Sequence, residues 1–373
     1  MVLPFAAAEE NAEQQLLADA RDGQLHDFEL IDAAFVAGGM SDPRKCAEAL
    51  RVRDARYAAI DMPAVSQLPP HQRPAVILVK LHREILRGQF RPTATLVQET
   101  LAAGDFNCVT ATILFHDLCT RCGVPAEIVA QSGHVCSRLG HPHLTEVETT
   151  RADWFTRAQT EAKPTEGARR VITPVALLGR IYYNRALAAL EQREFAAAIQ
   201  LLEKSLALDP QDRDAQENLL AGLNNWALAL CEAGDHAAAA ERVAMGLKLN
   251  ADYPPLRSNE LHVHQQWVTR LCQEYEFAQA LQLLEAGRVR RPDAPLFAGG
   301  QRAVYEAWLK HCVATGDTAA ATQVLQQARQ QLGPQTKLTL EARPIPKTIP
   351  AKHRSHLAPR DDMPPAQRRG EVN

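Results

Sequence analysis

The sequence predicts an α+β domain followed by an all-α array of helical hairpins and a disordered tail, and three observations carry that prediction. An apolar helix at 108–121 is followed by three short segments that read as strands, 125–130, 133–139 and 144–150. Beyond residue 173, Arg193, Gly234, Tyr275 and Gly316 recur at intervals of 41 residues. Past Gly333 the chain is rich in proline, mildly basic and nearly devoid of large apolar side chains, a composition that cannot bury enough surface to fold.

Composition sets the outer bounds. A chain of 373 residues is long enough for two domains with proper cores, and 46% hydrophobic with 23% charged residues describes an ordinary globular protein. A net charge of −3 gives no reason to expect nucleic acid or an anionic membrane as partner. Eight cysteines over this length are too sparse for a disulfide scaffold and predict mostly reduced, buried thiols. No run approaches the roughly 18 apolar residues of a membrane span, so none is expected. Residues 1–8 are apolar but short and lack a basic start, which fails as a signal peptide. The expected compartment is the cytoplasm, unless the true start lies upstream.

The α+β region opens on a helical leader. Leu16, Leu17, Phe28, Leu30, Ile31, Ala34 and Phe35 recur at helical spacing, and Ser41-Asp42-Pro43 is a helix start with proline at the first position. A loop at 66–74 precedes a helix at 75–86, with Val76, Leu78, Val79, Leu81 and Ile85 mostly inward and Gly88 closing it. Then Gly104-Asp105-Phe106-Asn107-Cys108-Val109-Thr110 delivers a cysteine to the first turn of an apolar helix closed by Gly123. A thiol there faces unpaired backbone N–H groups and the positive end of the helix dipole, which favour the thiolate. His134 and Glu148 follow on later strands. Cysteine, histidine, carboxylate is the chain order of a thiol nucleophile, its base and the group that orients the base. The alternative is that Cys108 is a small buried hydrophobe.

Other constellations compete. His116-Asp117 lies two turns down the helix from Cys108, too far along the axis at about 1.5 Å per residue to be its base, and reads as a surface or packing pair. Cys119 and Cys122 form a single CxxC that could bind zinc with His134, Cys136, His141 or His143. Two buried thiols at a helix end is the simpler reading, and no metal or cofactor is expected. The residues 156–173 read as an exposed connection.

The run Asp105-Phe106-Asn107-Cys108, the link Gly123-Val124-Pro125-Ala126, Gly133-His134-Val135 and Val147-Glu148-Thr149-Thr150 resemble the transglutaminase-like superfamily, in its bacterial branch fused to tetratricopeptide repeats. The resemblance covers roughly residues 26–155 and implies a papain-like thiol domain with Cys108, His134 and Glu148 as catalytic residues. The family more often has aspartate at the third position, and Glu146, two residues earlier, is the rival acid. The oxyanion would be met by the Cys108 backbone N–H, with Asn107 or Gln98 as side-chain candidates.

The repeat is exact in spacing. Ala198, Ala239, Ala280 and Ala321, and Leu202, Val243, Leu284 and Leu325, keep the 41-residue register, as do Trp226, Trp267 and Trp308. The unit from Tyr182 to Pro210 looks like a tetratricopeptide repeat, seven residues longer than the usual period of about 34. Arg185 stands where later units have tryptophan, as expected of a unit whose outer side meets the first domain. The tryptophans read as inter-repeat core, or else as anchors in a groove that takes a protein or peptide partner. His262 and His264 read as an exposed helix turn. The expected organisation is a thiol domain at 1–160, a linker at 161–173, four repeats at 174–334 and a disordered tail at 335–373. Two functions fit it: a thiol-dependent acyl-transfer enzyme with a partner-binding repeat domain, or an inactive scaffold acting as an adaptor.

Overall fold

The structure, a computed structural model, describes residues 9–140, 144–157, 169–341, 343–348 and 350. It is mostly helical with one small antiparallel sheet, and the described residues divide into two compact units, one up to residue 219 and the other from residue 220.

In the first unit α1 (Glu9–Asp19), α2 (Leu30–Ala37), α3 (Pro43–Ile60), α4 (Met62–Ser66), α5 (Arg73–Glu84) and α6 (Val97–Ala103) lead to α7 (Cys108–Arg121). Val109, Ala111, Ile113, Leu114, Phe115, Leu118 and Cys119 are buried on nearly every side of α7, which makes it the central helix. Helices α2, α5 and α6 pack on it, and the sheet adjoins it. Full burial of a side chain such as Phe115 or Leu114 stabilises the fold by about 1.5–3 kcal/mol. The helix ends at Cys122 and turns through Gly123, whose φ of +65° suits glycine.

Strands β1 (Ala126–Gln131), β2 (His134–Leu139) and β3 (Thr145–Val147) follow, then α8 (Trp154–Arg157) and β4 (Arg170–Ile172). The sheet order is β3-β2-β1-β4, antiparallel throughout, with Gln131 opposite His134 and Ser137 opposite Val147. Residues 170–172 therefore correct the expectation of an exposed connection. Val129 pairs with Val171, and Ile172 turns into the core while Val171 faces out. Residues 158–168 of that connection lie outside the described residues.

Next come α9 (Pro174–Glu191), capped by the Thr173 side chain, α10 (Phe195–Leu208) and α11 (Arg213–Glu232). The division between the units falls within α11, one hairpin beyond the expected linker, because α9 packs on α2 and α7. Arg185 donates through Nη1 to the Ala37 carbonyl at 2.5 Å, meeting the negative end of α2.

The second unit holds α12 (His236–Leu249), α13 (Pro254–Gln273), α14 (Phe277–Arg290), α15 (Pro295–Thr315) and α16 (Thr318–Leu332), each packed on the next. The 41-residue register has a backbone cause. Arg193, Gly234, Tyr275 and Gly316 have φ of 60°, 84°, 63° and 74°, the left-handed residue that turns one helix into its hairpin partner. Ala239 and Ala280 are fully buried where the helices approach. A second register lies in Gly246 and Gly287. A Cβ on either would stand 2.3 Å from Leu256 or 2.2 Å from Phe297, residues that are themselves 41 apart.

Trp267 and Trp308 are half-buried against the cluster of Val268, Phe277, Leu284 and Phe297, and the Arg242 guanidinium lies 4.6 Å from the Trp226 ring. The histidines correct an expectation. His264 is buried, its Nδ1 2.7 Å from the Glu260 carbonyl, and half-buried His262 lies 3.3 Å from Thr348 Oγ1. In the described part of the tail, Leu338 packs beside Leu309 and Val324, and Ile345 beside the Phe297 cluster. Residues 351–373 lie outside the described residues. Among the described residues no helix is long and apolar enough to cross a membrane.

Candidate active site

Local sequence builds the cradle for Cys108. Asn107 is the N-cap of α7: its Oδ1 accepts from the N–H groups of Val109 (2.9 Å) and Thr110 (3.0 Å), while Thr110 Oγ1 accepts from the Asn107 N–H. This reciprocal box fixes the first helical turn and puts Cys108 at its head. The approach is held by a second strip of backbone. Gly88 N–H donates to the Gly104 carbonyl, Phe106 N–H to Gln89 and Arg91 N–H to Phe106, and the Asp105 carboxylate accepts from Gln89 N–H. Gly88 is required there, because a Cβ would stand 2.2 Å from Asp105 Oδ1 and 2.7 Å from its nitrogen.

His134 opens β2 and Glu148 follows β3, and their side chains meet with Nε2 2.7 Å from Oε2. The other carboxylate oxygen of Glu148 accepts from the Thr150 hydroxyl (2.6 Å) and N–H (3.2 Å). Thr149 ties this segment down, its hydroxyl 2.8 Å from that of Thr112 on α7 and its carbonyl 2.9 Å from His82 Nε2. With Nε2 on the carboxylate, Nδ1 is the ring nitrogen left free for a thiol, and Cys108 at the head of α7 is close enough to the ring to influence its protonation.

Burial alone would lower the His134 pKa, but the hydrogen bonds to Cys108 and Glu148 and the nearby negative charge outweigh it and raise it to about 10. Burial pushes Glu148 up, and His134 with the two Thr150 donors more than reverses that, leaving it below the usual carboxylate range. The side chains of His134 and Glu148 are 31% and 15% exposed, and Cys108 is half-buried. Burial raises the pKa of Cys46, Cys119, Cys122, Cys136, Cys231, Cys272 and Cys312. Cys231 also has a histidine partner, His236 Nδ1 at 3.5 Å, but only Cys108 stands at a helix start beside a histidine held by a carboxylate.

Of the three residues expected from the sequence, His134 and Glu148 are hydrogen-bonded to each other, and Cys108 heads α7. Glu146 is not on the histidine; it pairs with Arg138 and Arg169. One oxyanion candidate is corrected: the Asn107 amide is spent as the helix cap, with Nδ2 donating to the Pro92 carbonyl at 3.3 Å. Gln98 lies beside Gly38. The Cys108 N–H remains outside the Asn107 cap. Asp117 is bound to Arg121 at 2.8 Å, a packing pair. Cys119 and Cys122 are buried, and among the described residues no group of three or more His, Cys, Asp or Glu side chains could hold a metal. His141 and His143 lie outside the described residues.

Thr150, Thr149, Thr112 and His82 were not singled out as site residues. One more was hidden further along the chain: Asp214 of α11 accepts from Ser132 Oγ (2.9 Å) and Gly133 N–H (3.1 Å), clamping the turn that leads into His134. No local signal connects residues some eighty positions apart.

Compared with known proteins, the chain matches no family model and no curated protein.

Proposed function

We propose that the chain is a thiol-dependent acyl-transfer enzyme of the transglutaminase-like kind, with tetratricopeptide-type repeats that bind a protein or peptide partner. The observation that supports this is the His134–Glu148 hydrogen bond, with Cys108 at the N-terminus of α7 near the same imidazole. Cys108 Sγ adds to a carboxamide carbonyl, and its proton goes to His134. The carbonyl oxygen, now an oxyanion, faces the Cys108 N–H. The C–N bond breaks as His134 returns the proton to the departing amine, leaving a thioester. Water or a second amine then attacks it, giving hydrolysis or transamidation. Glu148 keeps the imidazole oriented and stabilises its cationic form.

The test is a burst experiment with p-nitrophenyl acetate. One equivalent of nitrophenol per chain is expected, with the acetyl group on the Cys108 peptide by mass spectrometry and no burst from Cys108→Ala. If the acetyl group is absent or scattered over several cysteines, the adaptor reading replaces this one.

A further inference from the structure

In the second unit residues 337–341 and 343–348 run, without helix or strand, against the hairpin-opening helices α13 and α15. What holds them there is mostly backbone. Glu306 of α15, fully buried, accepts through Oε1 from the Thr339 N–H (3.4 Å) and through Oε2 from the Arg343 N–H (3.2 Å). Gln265 Oε1 of α13 accepts from the Thr348 N–H (3.0 Å) and hydroxyl (2.7 Å), and Arg302 donates to the Lys337 carbonyl at 2.5 Å. Three side chains add to this grip. Arg343 Nε is 3.8 Å from Glu306, and Ile345 packs beside the Phe297 cluster, with Pro346 over Gly299.

Those contacts describe a reader of extended chains. Backbone N–H groups are offered by any peptide that is not itself a helix or sheet, and Pro344 and Pro346 hold the intervening chain extended. A buried carboxylate is costly unless paired and hydrogen-bonded. Glu306 draws on Arg302 at 3.2 Å together with the two N–H groups and the guanidinium of the segment, so without an occupant it keeps Arg302 alone among these. Whatever replaces residues 337–348 must offer the same donors.

We infer that the face of α13 and α15 is a binding site for an extended, proline-bearing basic peptide, and that residues 337–348 occupy it in competition with such a partner. This rests on the reading of the repeats as a partner-binding domain. The chemistry required of the partner is an arginine followed two residues later by an apolar residue and proline, as in Arg343-Pro344-Ile345-Pro346. The segment then serves as an internal competitor that keeps weaker partners out.

The experiment uses the full chain and a fluorescein-labelled synthetic peptide of residues 335–350, followed by fluorescence anisotropy. Arg343→Glu sets a second carboxylate beside Glu306 and should release the segment, so this variant is expected to bind the peptide at least tenfold more tightly than the unaltered chain. Ile345→Ser should act in the same direction, and adding Glu306→Gln to either should abolish binding. In the unaltered chain, excess unlabelled peptide should accelerate hydrogen exchange at the Thr339, Arg343 and Thr348 amides. Equal binding by all chains, no binding by folded Arg343→Glu and Ile345→Ser, or exchange indifferent to the peptide would each overturn the proposal and make the segment a fixed part of the fold. The acetyl burst at Cys108 is read separately, so loss of one result leaves the other intact.

Discussion

The His134 imidazole and the Glu148 carboxylate face each other at 2.7 Å, and the second oxygen of Glu148 is already committed to Thr150. A glutamate therefore reaches the histidine with its extra methylene accommodated, because Thr150, two residues on, fixes the rotation of the carboxylate. Replacing Glu148 with Gln preserves shape but removes the charge that supports an imidazolium. We expect Glu148→Gln to reduce the acetyl burst rate by about 10- to 100-fold, on the scale of a lost general-acid/base contribution, and Cys108→Ala to abolish it. Equal losses would make the carboxylate as necessary as the thiol, and an effect of Glu146→Gln without one of Glu148→Gln would identify the other acid.

Alkylation separates the thiols. Iodoacetamide at pH 7 should modify Cys108 at least tenfold faster than any of the other seven cysteines, followed peptide by peptide. The His134→Ala variant should lose that advantage while the buried thiols keep their slow rates. Uniform rates across all eight would remove the nucleophile from the proposal.

The coupling has a pH signature. Because the folded pKa of His134 is raised to about 10 from an ordinary value near 6.5, its contribution is full below pH 6.5 and is lost as pH rises through about 10. The unfolding free energy should fall between those limits by up to about 5 kcal/mol more in the unaltered protein than in His134→Ala, with one pKa unit worth about 1.4 kcal/mol. The Glu148 pKa is depressed, so its share is present above the ordinary carboxylate value and disappears as pH falls through the lower folded one. Urea titrations of both proteins from pH 4 to 10 measure the difference. Parallel curves would contradict the pairing.

The Asp214 clamp ties α11 to the turn before His134. In Asp214→Ala, Ser132 and Gly133 lose their acceptor and buried Arg180 loses one of two carboxylates, the other being Asp212 at 3.2 Å. A loss of about 1–2 kcal/mol is expected from the lost hydrogen bonds and the weakened pairing of Arg180, which keeps Asp212, read as a lower urea midpoint. A midpoint within error of the unaltered chain would show that the clamp contributes nothing.

In the second unit Gly287 admits Phe297. Gly287→Ala brings a methyl to 2.2 Å from a ring that is fully buried, so the helices must separate. We expect a cost of about 1–3 kcal/mol from overpacking, partly recovered in the double variant with Phe297→Leu. Gly316→Ala meets no atom within 4 Å and should cost only about 1 kcal/mol, for the left-handed backbone alone. If Gly316→Ala proves the more damaging of the two, the packing account is wrong.

What was legible in the sequence by itself was whatever is decided within a turn or two of the chain. Asn107 and Thr110 lie three residues apart, close enough to cap the helix that carries Cys108. The left-handed turns at 41-residue spacing, the strands around His134 and the cysteine, histidine, carboxylate order were all visible as local pattern. Tertiary structure alone decided between Glu146 and Glu148, since strand alternation sends both the same way and the arginines on Glu146 come from β2 and from residue 169. It alone paired Val171 with Val129, brought Asp214 to Gly133 and laid residues 337–348 on Glu306 and Gln265. Each of those contacts closes a loop of more than thirty residues, and its energy comes from burying paired donors and acceptors that carry no mark of their partner in the neighbouring sequence.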